Sequence, residues 1–143
     1  MALRREAWTL LAIAAANGEP LTPVQLQKTL FLLSQEKRGA LGDDFYHFIA
    51  YDYGPFDQQI YRDAEDWAEQ GAVSIQRPWR WAEYSATPDG VQLAAGFAKH
   101  AAPDAVDYLR RVVAWARNLS FQALLRAIYA KYPKYRENSV FRD

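Results

Sequence analysis

The chain has no cysteine in its 143 residues, and that absence excludes a disulfide framework, a thiolate metal site and a cysteine nucleophile. Histidine is nearly as scarce. His47 and His100 fall in different segments with no acidic ligand pattern around them, which is not the spacing of a metal centre. No glycine-rich loop opens a helix after a strand, so no run of backbone amides is offered to a phosphate. Long apolar runs are missing too. The stretch Trp8 to Ala16 is interrupted by Thr9 and is too short to span a bilayer. Arg4 and Arg5 precede it, but Asn17-Gly18-Glu19-Pro20 reads as a turn into another helix and not as a cleavage site. The expectation is a cytoplasmic chain with no membrane segment and no cofactor.

Apolar and aromatic residues are plentiful. Half the residues are apolar, and five Trp, nine Tyr and seven Phe supply large core side chains. Such a chain can bury enough surface to offset its folding entropy. Its length suits one domain, and no linker divides residues 1–143. The net charge of zero conceals an uneven distribution. Residues 1–42 hold five basic side chains against three acidic, residues 43–105 four against eleven, and residues 106–143 eight against three.

Apolar spacing predicts a first helix from about Arg4 to Ala16, with Trp8, Leu11, Ala12 and Ala15 on one buried stripe. Asn17-Gly18 ends it. Thr22-Pro23 reads as an N-cap followed by proline at the first helical position, opening a helix lined by Leu26, Leu30 and Leu33. Phe45 to Tyr53 is aromatic and β-branched and reads as a strand, broken by Gly54-Pro55. A third helix follows, with Phe56, Ile60, Ala64 and Trp67 inward and Gly71 at its end. Ala72 to Gln76 and Trp81 to Ser85 form a short hairpin around Arg77-Pro78-Trp79-Arg80. Thr87-Pro88 opens a fourth helix, and Val106, Leu109, Val113 and Ala116 line a fifth. Ser120 caps a sixth with Phe121, Leu124, Leu125 and Ile128 as its stripe, stopped by Pro133. The expected fold is mainly α with minor β: a winged-helix-like core with a short β-hairpin and two appended C-terminal helices.

Nothing in this pattern suggests catalysis. Asp57, Asp63, Glu65, Asp66 and Glu69 are expected on the outer face of the third helix, whereas acid–base work wants carboxylates in a partly dry pocket. The same acids weigh against nucleic acid. In a winged helix the third helix enters the major groove, yet here one cation, Arg62, stands against five acids. Duplex affinity draws chiefly on Lys and Arg, so no duplex binding is expected at physiological salt. The hairpin tip, Arg77-Pro78-Trp79-Arg80-Trp81, interleaves arginines with indoles, residue types enriched at protein hot spots and also able to stack on bases.

Two ordered motifs resemble a known family. Leu21-Thr22-Pro23-Val24-Gln25-Leu26-Gln27-Lys28-Thr29-Leu30-Phe31-Leu32-Leu33 is similar to the "LQKLLY" helix of the Panacea antitoxin domain. Tyr51-Asp52-Tyr53-Gly54-Pro55-Phe56 is similar to its "GP" turn after an aromatic strand, with Phe56 standing where the family usually has Val. Ile60-Tyr61 matches the pair in its next helix, so the resemblance covers about residues 5–75. It implies a prokaryotic, helical antitoxin that neutralises a toxin by direct binding. Leu119 to Tyr135 resembles a related branch of winged-helix proteins from prokaryotes and phages. The expected function is thus non-enzymatic protein binding to a cognate toxin or a second copy of the chain, with a DNA-binding regulator as the alternative. Candidate partner-binding residues are Tyr53, Phe56, Arg62, Asp66, Arg77, Trp79, Arg80, Trp81, Tyr132, Tyr135 and Arg136.

Overall fold

A computed structural model describes residues 3–141. The helices are α1 (Arg5–Ala14), α2 (Pro23–Glu36), α3 (Gln59–Glu69), α4 (Pro88–Ala98), α5 (Pro103–Arg117) and α6 (Phe121–Lys131). The strands are β1 (Ile49–Tyr51), β2 (Gly54–Phe56), β3 (Val73–Gln76) and β4 (Glu83–Ala86). They form two separate antiparallel hairpins, β1 with β2 and β3 with β4. The protein is therefore mainly α with minor β.

Helix α1 is the axis of the core. The expected one-sided stripe is corrected here: every residue from Ala7 to Ile13 is buried, because α1 is packed by α2, α3, α4, α5 and β4. A helix apolar on nearly all sides belongs in an interior. It ends at Ala14, where Asn17 and Gly18 take left-handed backbones at φ 55° and 88° and turn the chain toward α2.

Local capping explains the starts of three helices. The Thr22 hydroxyl accepts from the Gln25 amide at 3.2 Å, while the Gln25 side chain accepts from the Thr22 amide at 3.0 Å. Thr87 and Ser120 cap α4 and α6 through the amides of Gly90 and Ala123. Before α2, Leu21 and Tyr84 exchange backbone hydrogen bonds of 2.8 and 2.9 Å, fastening the α1–α2 connection to β4.

The aromatic segment departs from expectation. Only Ile49–Tyr51 of Phe45–Tyr53 is strand, and Gly54-Pro55-Phe56 does not break it but returns as its partner, β2. Gly54 has φ 89°, a backbone that favours glycine, and a Cβ there would stand a tight 3.1 Å from the Tyr129 ring. Phe56 consequently lies outside α3. Asp57 also precedes the helix, accepting from the His47 and Gln59 amides at 2.8 and 2.9 Å.

Asp63 is the larger correction: it is buried, not on the outer face of α3. Its carboxylate accepts from the Tyr46 hydroxyl at 2.5 Å and the Gln59 side-chain amide at 2.8 Å, and pairs with Arg5 at 3.3 Å. A buried carboxylate needs such partners. Burial, reinforced by the Asp63 bond, pushes the Tyr46 hydroxyl pKa far up. On α6, Leu124, Leu125 and Ile128 are buried, but Phe121 is left out of the stripe at 42% exposure.

Two glycines of α4 make a stability test. A Cβ on Gly90 would lie 1.9 Å from the Ala72 carbonyl oxygen, whereas one on Gly96 meets nothing within 4 Å. Gly90→Ala forces α4 away from the β3 edge and should cost about 1–3 kcal/mol or more. Gly96→Ala should instead stabilise by roughly 0.5–1 kcal/mol through helix propensity. Urea titration of the pair checks this, and equal effects of one sign would refute the close approach.

Candidate functional site

Helix α2 and the β1–β2 hairpin are fastened side chain to backbone. Gln27 donates to the Asp57 carbonyl at 2.9 Å and accepts from the Asp57 amide at 3.0 Å. Lys28 donates its ammonium to the Pro55 carbonyl at 2.9 Å. The Gln-Lys of the first motif thus holds the Gly-Pro segment of the second. Sequence reading had no reason to single out Lys28, because a lysine on a helix is ordinarily solvated, yet this one is 2% exposed. Burial alone lowers its pKa to about 7.

Over this clamp runs a layer of rings. Tyr84 stacks on Tyr61 with centroids 6.3 Å apart, Tyr61 meets Phe56 edge-on at 5.8 Å, and Phe56 stacks on Tyr51 at 4.9 Å. Tyr53 meets Phe121 edge-on at 5.4 Å. Between these rings, the N-terminal turn of α2, the start of α6 and Trp81 lies a groove of about 710 Å³. That volume falls in the roughly 300–1,000 Å³ usual for binding clefts. A smaller recess of about 130 Å³ shares Val24, Tyr53 and Tyr61 with it and is lined also by Lys28, Tyr51, Asp52 and Phe56. Burial pushes the Tyr61 hydroxyl pKa well up.

The rings remain open to solvent. Tyr51, Tyr53, Trp81 and Phe121 are between 42% and 48% exposed, and Trp79 at the β3–β4 tip is 73% exposed. The hairpin tryptophans therefore do not fold away into the core. Arg77 and Arg80 are exposed beside them.

Of the residues expected at a partner surface, the groove and its recess bring together Tyr53, Phe56 and Trp81, with Arg77, Trp79 and Arg80 on the adjoining hairpin tip. Arg62 is exposed on α3 beside Tyr61 in sequence, whereas Asp66 lines a different, polar hollow with Arg4, Arg5 and Gln70. Tyr132 and Tyr135 lie elsewhere, edge-on against Phe31 at 5.0 and 4.7 Å. The Tyr132 hydroxyl also donates to Glu36, which pairs with Lys131 at 2.8 Å. These two tyrosines seat the C-terminal segment on α2, leaving Arg136 exposed. Two groove residues lie outside that expected set: Phe121, which the sequence places in the α6 stripe, and Tyr61, which enters there only as part of the Ile60-Tyr61 pair.

Among the described residues, no group of three or more His, Asp or Glu side chains is placed to hold a metal ion, and no helix is long and apolar enough to cross a membrane. Comparison of the chain with protein-family models, curated proteins and solved structures finds no match in any of the three.

Proposed function

We propose that this chain is a non-enzymatic protein-binding module of the antitoxin type, which holds an apolar segment of a partner protein in the aromatic groove. The observation that carries this reading is the continuity of the groove with an exposed Trp-Arg hairpin. Tryptophan, tyrosine and arginine are the usual anchors of protein interfaces. Exposed apolar side chains gathered in one place mark an interaction site more often than ones scattered singly. The surface also extends past the cleft to Trp79, farther than a small molecule lodged in the groove would need. The likeness of the Gln27-Lys28 and Gly54-Pro55 motifs to the Panacea antitoxin domain supports a toxin as the partner, and in this chain Gln27 and Lys28 bond to the backbone of Asp57 and Pro55.

In the same reading, α1, α2, α3 and the β3–β4 hairpin constitute a winged-helix unit. The order of elements supports this, as does the Leu21–Tyr84 bridge, which supplies the short strand between the first two helices that pairs with the wing. A DNA-binding role would then fall to Arg77, Trp79 and Arg80 on the wing. Against it, α3 exposes Glu65, Asp66 and Glu69 against Arg62 alone, a surface that repels phosphate.

The test uses the product of the gene beside this one as the toxin. Co-expression should restore growth, and the purified proteins should form a complex. Replacing both hairpin tryptophans, Trp79→Ala with Trp81→Ala, should weaken that complex more than tenfold, since each anchor is worth roughly 2 kcal/mol or more. Both side chains are exposed, so the melting temperature should stay near the parent's. An unweakened complex, or salt-sensitive micromolar binding of a DNA duplex in its place, refutes the antitoxin reading.

A further inference from the structure

Two charged side chains are buried among the described residues, and they are treated very differently. Asp63 has a cation and two further donors. Lys28 has one neutral carbonyl, that of Pro55, and no ion pair among the described residues. An ammonium carries three donors. Asp52 lines the same recess but forms no ion pair with it. A buried cation without a counter-charge is costly unless a partner supplies one.

The place of Lys28 indicates where such a partner would enter. The recess it lines shares Val24, Tyr53 and Tyr61 with the larger groove, so a chain lying in the groove reaches the lysine past the two tyrosine rings. Lys28 itself is 2% exposed, and charge pairs strengthen as water is excluded. One ammonium with no guanidinium beside it suits a single carboxylate better than a phosphate, which draws on several donors.

We propose that Lys28 is a receptor for a carboxylate, carried by an acidic side chain of the protein segment that occupies the aromatic groove. The inference rests on the protein-binding reading above and specifies the partner: aromatic or aliphatic residues flanking one Asp or Glu. Binding is linked to a proton. Below the lysine's pKa of about 7 the ammonium is ready to pair, and at higher pH the incoming carboxylate must first draw a proton onto the amine. Tyr51, Asp52, Tyr53 and Tyr61 are the other titratable groups lining the recess, and a Lys28→Met variant retains all four.

The experiment titrates the full chain with acetyl-Phe-Glu-Phe-amide and its Gln counterpart, following the ε-methylene resonance of Lys28. At pH 6 the Glu peptide should bind at least tenfold tighter than the Gln peptide, and it should raise the Lys28 titration midpoint by a pH unit or more. The preference should fade toward none by pH 9. In Lys28→Met the ratio of the two affinities should fall to about one at pH 6, whatever the absolute affinity of the Gln peptide. Equal binding of the two peptides, binding of neither, or a preference that survives Lys28→Met overturns the proposal. Tighter binding of free 3-phenylpropionate than of the Glu peptide overturns the protein source in favour of a small carboxylate. A retained Glu preference with no neutralisation of the neighbouring gene's product refutes the antitoxin reading alone. Neutralisation unaffected by loss of the preference refutes this inference alone.

Discussion

Trp67→Ala should remove roughly 3–5 kcal/mol of stability, the usual penalty for truncating a large core aromatic. Trp67 is 7% exposed and joins three parts of the protein. Its indole N–H donates to the Glu6 carbonyl of α1 at 2.7 Å, and its ring lies 5.9 Å from that of Phe97 on α4. Alanine would leave a void between α1, α3 and α4, and a carbonyl without its donor. Most domains of this size have only about 5–15 kcal/mol in total, so the variant should be close to unfolding at 37 °C. Trp67→Phe separates the two contributions: it retains most of the ring and should lose about 1–2 kcal/mol, chiefly for the hydrogen bond. Urea denaturation with an unchanged slope is the measurement. An alanine variant that unfolds at the parent's midpoint would mean α3 does not pack as described.

Trp67 was legible in the sequence, as were the caps Thr22, Thr87 and Ser120 and the six helices, since each rests on short-range rules of period and capping. The misread features all depend on contacts distant in sequence. Asp63 reads as one more acid on an acidic helix until Arg5 and Tyr46, from α1 and the loop before β1, are folded against it. Gly54-Pro55 reads as a break until the pairing of β2 with β1, and the Tyr129 ring of α6 beside Gly54, are in place. Helix α1 looks amphipathic by period, but its partners arrive on several sides and bury the rest. Groove residues divide in the same way. Tyr53 and Trp81 stand out as aromatics beside turns, whereas Phe121 sits at a helical position that a period count assigns to the core, and Tyr61 becomes a groove residue only when α6 and β4 are folded beside it.

The second large effect concerns Lys28 and pH. Its pKa is near 10.5 in the unfolded chain and is lowered by burial to about 7 in the folded protein. Between those values the unfolded chain holds more protons than the folded one, so raising the pH favours folding. The sign is opposite to that of a lysine held by an acid. Below about pH 7 the folded protein bears the full cost of a buried ammonium; above about pH 10.5 that cost is gone. The slope inside this window should approach a little over 1 kcal/mol per pH unit, or roughly 3–5 kcal/mol across it. Tyr46 and Tyr61, whose pKa values are raised by burial, oppose this above pH 10, where the unfolded chain sheds their protons first. Comparison with Lys28→Met removes their contribution, because the variant keeps both tyrosines. Methionine fills similar volume without charge, so its only large loss is the bond to the Pro55 carbonyl, worth about 1 kcal/mol. Relative to the parent, the variant should therefore be most stable near pH 6, and its advantage should shrink steadily to pH 10. Urea midpoints for the two proteins at each pH give the difference directly. A difference independent of pH would mean that Lys28 keeps an ordinary pKa and reaches water, and the burial of its amine against the Pro55 carbonyl would have to be abandoned.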